Sequence, residues 1–364
     1  GPGARSLYVT NGDFNDWTYG DTLTKPRAFS WTPEIGTQAD GFWTLPSRIV
    51  PLADENLRKC YTVAALAGPY VRVGGHSLVE GTLDPGFPAR LLLEVRNIGR
   101  TATPTGLMAT MIPLDSGVVV WPPDRRVPYP VVGSRASARP IDEAFFLLAA
   151  DDTVTPGRTV RFEANFWADS GYFSRDTLSL RVGRPTVLTY ESRAEFMQWI
   201  STGGWGIDWG DPWHPDGYAN DSPRGSYANN ADQSFIRPGR LDLSRGVHAW
   251  LRLNARWLLE QNSDCTVIEA SLDSVLWTPL GGRAATPGVK NPQPPGLPVH
   301  QATYRQWHDE WLDLSAFAGP AGHSVRLRLR TVSDESTRYD GFSLDTLCVL
   351  VYDPAAQPSP VAVG

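Results

Sequence analysis

From residue 90 to residue 182, apolar and polar positions alternate with a period of two. The runs Arg90–Arg96, Gly106–Met111, Glu143–Leu148, Thr159–Trp167 and Asp176–Val182 carry this pattern. Alternation puts one set of side chains on a core face and the other toward water, as in antiparallel strands. Turn formers separate the runs, Asn97-Ile98-Gly99 and Thr155-Pro156-Gly157 among them. A second series of strands is predicted at His248–Trp257, Cys265–Ser271, Glu310–Leu314, Ser324–Val332 and Phe342–Tyr352. The proline-rich stretch from Pro287 to Pro298 is predicted to be a loop.

The first seventy residues read differently. Leu52, Leu57, Cys60, Tyr61 and Ala64 fall at near-helical spacing, with Asp54 and Glu55 in the opening turn, and Gly68-Pro69 closes the segment. They predict a helix over 52–66, the only strongly signalled helix. Ser192 to Trp199 predicts one or two helical turns, and Ala28 to Thr32 a short strand. Four zones follow: 1–73 with a helix, 74–185 and 186–353 as two β regions, and 354–364 as a linker or tail.

The 364 residues suit two or three domains. Abundant Gly (34), Pro (31) and Trp (14) fit many short strands joined by turns. A net charge of -6 without a dense Lys/Arg run argues against nucleic acid as a partner. No run approaches the roughly 18 apolar residues of a membrane span. Cys60, Cys265 and Cys348 exclude a disulfide scaffold; a bridge between the last two requires adjacent strands, and two free thiols are the alternative. The opening Gly1-Pro2-Gly3-Ala4-Arg5 lacks a secretory leader pattern, so the true N-terminus is expected upstream.

The chemistry is concentrated near the start. Tyr8-Val-Thr-Asn-Gly-Asp-Phe-Asn15-Asp16-Trp17 is followed by Phe29-Ser-Trp-Thr32-Pro-Glu34 and then Gly41-Phe42-Trp-Thr-Leu-Pro46-Ser47-Arg48-Ile49. In this order the segment resembles the last third of zinc metallocarboxypeptidases of the carboxypeptidase A and T family, over about 70 residues. The resemblance implies a partial α/β catalytic segment in which Glu34 is the general base acting on zinc-bound water. It makes Tyr8 the tyrosine that swings over substrate. It makes Asn15 the residue setting side-chain preference, a neutral amide that does not select basic C-terminal residues, with Thr10 and Thr32 beside that pocket. Zinc is expected in the complete enzyme and a peptide or protein is the implied substrate. Here the chain departs from the family. None of its histidines, His76, His214, His248, His300, His308 and His323, begins His-x-x-Glu, and all follow Glu34. The chain has no zinc ligands of its own and alone is expected to be inactive.

The segments LEVRNIGRTAT and VTPGRTVRFEANFWA resemble immunoglobulin-like modules that follow secreted bacterial hydrolases. From Trp205 onward, Asp221 to Pro238, Trp311 to Ser315, Val325 to Arg330 and Tyr339 to Asp345 resemble the MAM-like jelly roll of immune inhibitor A peptidases. The expected fold is therefore mainly β: a partial carboxypeptidase segment, an immunoglobulin-like β-sandwich and a jelly-roll β-sandwich. Val325, Leu327 and Leu329 should face the core, with Arg326, Arg328 and Arg330 outward as a carboxylate-paired face or an acidic-ligand ladder. Asp221, Asp340 and Asp345 are candidate oxygens for a structural calcium, against acidic turn residues without metal. Trp205, Trp209, Trp213 and Tyr218 read as core anchors or as a sugar-stacking set. A secreted or cell-surface location follows, with cell-surface polysaccharide as a candidate partner. The competing reading is a non-catalytic extracellular binding or adhesion protein with a vestigial peptidase segment.

Overall fold

The computed structural model describes residues 14–28, 30, 35–37, 40–211, 214–223 and 225–358. Its contacts divide the chain into one unit comprising the residues up to Tyr70 with Gly99–Thr101, and a second holding Val71–Ile98 and everything from Ala102. None of the helices among the described residues is long and apolar enough to cross a membrane.

Among the described residues, the first unit contains two helices, α1 (Phe14–Gly20) and α2 (Pro46–Ala67). α2 starts six residues before the predicted Leu52. Pro46 occupies the first turn, where a missing N–H costs nothing, and the helix then runs through Pro51, which sequence reading takes as a boundary. Arg48 donates to Asp40 at 2.8 Å and ties the helix start to the preceding turn. α2 buries only Leu52 and Asn56, while Ile49, Val50, Leu57, Tyr61 and Val63 are exposed, as are Phe42 and Trp43 just before it. The predicted strand at 28–32 is not found: Ala28 and Ser30 are outside any strand, and the rest of it lies outside the described residues.

The second unit is two antiparallel β-sandwiches. The first uses β1 (Val71–Leu78), β2 (Pro88–Asn97), β3 (Met108–Pro113), β4 (Val118–Trp121), β5 (Val127–Pro128), β6 (Ser137–Ala138), β7 (Phe146–Ala150), β8 (Thr159–Trp167) and β9 (Phe173–Arg181). One sheet has the order β1-β2-β7-β4, with β6 also on β2, and the facing sheet β5-β3-β8-β9. Alternation decides which side chains enter the core. Leu91, Leu93 and Val95 of β2 meet Val160, Phe162, Ala164 and Phe166 of β8, each completely buried. Burying one large aliphatic or aromatic side chain contributes roughly 1.5–3 kcal/mol, so this layer is the main source of the sandwich's stability.

The second sandwich follows with β10 (Thr186–Glu191), the one-turn α3 (Arg193–Phe196), β11 (Ile200–Ser201), β12 (Gly206–Asp208), β13 (Tyr218–Asn220), β14 (Asp232–Ile236), β15 (His248–Leu258), β16 (Cys265–Ser271), β17 (Thr278–Pro279), β18 (Thr286–Pro287), β19 (Pro298–Val299), β20 (Thr303–Asp313), β21 (Arg326–Val332) and β22 (Gly341–Tyr352). α3 is closed by a reciprocal cap between Ser192 and Glu195. A six-stranded sheet, β12-β13-β22-β15-β20 with β10 also on β22, faces a five-stranded sheet, β11-β14-β21-β16-β17. Leu251, Leu253, Ala255 and Trp257 of β15 pack with Leu344, Leu347 and Val349 of β22 against Leu327, Leu329 and Ile268. Val325 is buried with them as expected, whereas the arginines face outward. Cys265 lies in the five-stranded sheet and Cys348 in the six-stranded one; their strands do not pair, and both thiols are free.

The two sandwiches meet along one end of the six-stranded sheet. The Arg181 guanidinium lies 3.8 Å from the Trp250 ring centre and 4.1 Å from that of Trp311. Gly157, at φ +89°, presses so closely on β15 and β22 that an added Cβ would stand 2.4 Å from the His248 Cβ. The Trp250 indole N–H reaches the Gly157 carbonyl at 3.4 Å.

Candidate functional site on the six-stranded sheet

The peptidase residues cannot be placed. Tyr8, Thr10, Thr32 and Glu34 lie outside the described residues, and Asn15 falls in α1 with its side chain outside them.

The acids singled out for calcium have separate surroundings. Asp221 is fully buried, accepts from the Thr331 hydroxyl at 2.9 Å and from Ser222 at 3.1 Å, and burial pushes its pKa up to about 7. Asp340, just before β22, and Asp345, within it, are half-buried, and burial raises both pKa values. A different trio converges: single carboxylate oxygens of Glu260, Asp264 and Asp334 lie within 4.8 Å of one another. Asp264 is buried and accepts from the Tyr227 hydroxyl at 2.6 Å and the Asp334 N–H at 2.8 Å. One Glu260 oxygen is buried without a hydrogen bond among the described residues. These are hard oxygen donors of the type calcium takes. Position 334 is far from 260 and 264 in sequence, so no local motif announces the trio.

The aromatic set divides. Trp205 is buried and stacked on Phe235, 5.0 Å between ring centres and 3° between planes, an anchor of the core. Tyr218 is buried too, Trp209 is exposed beside Arg193, and Trp213 lies outside the described residues. Two of the three arginines of the β21 ladder are paired with carboxylates, Arg328 with Glu269 and Arg330 with Asp232, each at 2.7 Å; Arg328 also lies over Trp277, and Arg326 has no ion pair among the described residues. That face of the five-stranded sheet carries its own counter-charges.

The outer face of the six-stranded sheet is chemically richer. Along β20, the buried Glu310 and Leu312 alternate with Trp307, Asp309, Trp311 and Asp313 on the other side. Inside, Glu310 is 1 % exposed and receives His300 at 3.2 Å and the Ala284 N–H at 2.8 Å. Outside, register sets Asp309 opposite Asn254 and Trp311 opposite Arg252 on β15, with Thr346 and Cys348 of β22 in the same two rows. Asp309 accepts from Arg252 at 2.6 Å and from Asn254 at 3.1 Å. These bonds hold its pKa below the ordinary carboxylate range against the opposing effect of burial. Beyond this row, Arg256 lies 4.8 Å from the Trp307 ring centre and 5.2 Å from that of Tyr218, donates to the Tyr218 hydroxyl at 2.9 Å and pairs with Asp211 at 3.2 Å. His214 closes the cluster 4.7 Å from Trp307. The result is a polar strip between two aromatic groups, each fixed by a guanidinium. Sequence reading extends this strand only from Glu310 to Leu314 and so misses most of β20; the Trp-x-Asp-x-Trp-x-Asp spacing is the signal that would have found it.

No family model and no curated protein matches the chain. Among solved structures, the secreted serine protease VesC from Vibrio cholerae superposes with a TM-score of 0.22 at 10% identity, over 81% of this chain and 52% of that one. The chain thus spans about half the length of VesC. The YadV chaperone gives 0.23 at 9% identity, over 76% and 98%. A carbohydrate-binding module of the β-sandwich superfamily gives 0.23 at 8% identity, over 79% and 98%. Superpositions this loose bear on neither family nor function.

Proposed function

We propose that the chain is the C-terminal portion of a secreted zinc metallocarboxypeptidase that hydrolyses C-terminal peptide bonds, with the two sandwiches as accessory modules. The ordered resemblance from Tyr8 to Ile49 carries this reading. The large apolar side chains that α2 leaves exposed, Ile49, Val50 and Tyr61 among them, support it, because a helix of a complete domain covers such a face. In this reading Glu34 takes a proton from the attacking water and returns it to the leaving amine, while Tyr8 closes over the substrate. In the complete enzyme, a zinc ion held by preceding residues would supply an activated water near neutral pH for Glu34 to deprotonate. No zinc ligand is assigned to this chain, because none of its histidines has the family's spacing.

The test is to express the chain together with the coding sequence that precedes it. The expected product contains His-x-x-Glu and a later His before Tyr8. It releases C-terminal residues from peptides in a chelator-sensitive manner and prefers apolar over basic ends, because Asn15 offers no charge. A preceding frame without those ligands overturns the proposal.

One observation favours a second reading, an extracellular binding protein with a polysaccharide partner. The six-stranded sheet presents aromatic and hydrogen-bonding side chains together on its outer face.

A further inference from the structure

We propose that the outer face of the six-stranded sheet binds a neutral polysaccharide chain along the strip Trp307, Asp309 and Trp311 of β20, Arg252 and Asn254 of β15, and Thr346 of β22. The inference deepens the polysaccharide reading above and rests on it.

Three observations carry it. The first is composition. The strip supplies hydrogen-bond donors (Arg252, the Asn254 amide), acceptors (Asp309) and a hydroxyl that does both (Thr346), flanked by two indoles. Sugars present donors and acceptors around an apolar ring face, so this combination answers both parts. A cationic peptide side chain would use only the acceptors.

The second is charge. Arg252 and Asp309 neutralise each other at 2.6 Å in the middle of the strip. An ionic polymer gains little from charges already matched to each other. A neutral polymer can still use their remaining donor and acceptor positions.

The third is preorganisation. Trp307 packs on Arg256 at 4.8 Å and Trp311 on Arg181 at 4.1 Å, so both rings are held in place yet remain partly exposed. Asp309 is held by two donors. A surface already ordered loses little conformational freedom on binding. Four residues of strand separate the indoles by about 13 Å, enough for them to sit under different sugars of one extended chain.

Native affinity electrophoresis of the whole chain tests this, with soluble mixed-linkage β-glucan, xylan or dextran in the gel and heparin and polylysine as charged controls. At least one neutral glycan is expected to retard the protein and heparin is not. The double variant Asn254→Ala/Asp309→Asn should weaken retardation tenfold or more. Thr346→Arg should do the same by blocking the strip without touching the core. Trp277→Ala, on the opposite sheet, should leave retardation unchanged, and melting curves confirm that each variant is folded. If a glycan retards the wild type and both strip variants equally, the site is wrong while the polysaccharide reading stands. If no neutral glycan retards the wild type, or only polylysine does, the reading fails and the site with it.

Discussion

Replacing Gly341 by alanine will lower the unfolding free energy of the second sandwich by about 4 kcal/mol. Gly341 opens β22 at φ +83°, a left-handed conformation that costs an L-residue roughly 1–2 kcal/mol. An added Cβ would also stand 1.7 Å from Oδ1 of the buried Asp221. The carboxyl group cannot swing away, because Thr331 and Ser222 hold it and it has no solvent beside it. Forcing atoms into such a space costs about 1–3 kcal/mol more. Urea unfolding of the wild type and Gly341→Ala measures the sum. The double variant Gly341→Ala/Asp221→Ala should recover the steric part relative to Asp221→Ala alone and retain the backbone part. A single-variant loss below about 1 kcal/mol would mean that β22 does not begin as described.

The second large effect belongs to the same carboxyl. Burial pushes the Asp221 pKa up to about 7, and the Thr331 hydroxyl only partly opposes this. An acid whose folded-state pKa lies above its unfolded value near 4 binds a proton more tightly when folded. Its contribution to stability is therefore complete below about pH 4 and is lost as pH rises through about 7. A difference of that size is worth roughly 4 kcal/mol. Asp221→Asn mimics the protonated form at every pH. The wild type should thus lose stability relative to the variant between pH 4 and pH 8, by up to that amount. A difference independent of pH would show that Asp221 does not titrate in this range.

The β architecture was legible where one face of a strand is buried and the other wet. β8 falls where alternation places it, to the residue, and β15 within one residue. β16 is buried on both faces and was found instead on its strand-forming run Thr266-Val267-Ile268. Other strands lacking that contrast were not legible. β14 buries Gln233 and Ser234 beside Phe235, so its polarity does not alternate; β1 contains Gly74-Gly75, which reads as a turn; β4 is four residues of unbroken Val-Val-Val-Trp. α2 was found but truncated, because Pro51 is tolerated early in a helix that sequence rules end there.

The site was less legible for a physical reason. Its residues come together by register between β15, β20 and β22, pairings that link positions more than fifty residues apart. Asn254, Asp309 and Thr346 carry no signal singly. The same holds for the carboxylate trio around Asp264, where the reading fixed instead on Asp221, an acid that turns out to be held inside the sandwich by hydroxyls. The peptidase segment is the reverse case. Its signal is entirely local, an ordered run of unlike residues, and its key positions fall outside the described residues.

The most direct measurement is zinc content and turnover of the N-terminally extended protein before and after Glu34→Gln. A general base that is not a ligand predicts one zinc per chain in both proteins and a loss of turnover of about a thousandfold or more, within the range for removing a key catalytic proton carrier. Unchanged turnover, or hydrolysis indifferent to metal removal in the wild type, would contradict the assignment.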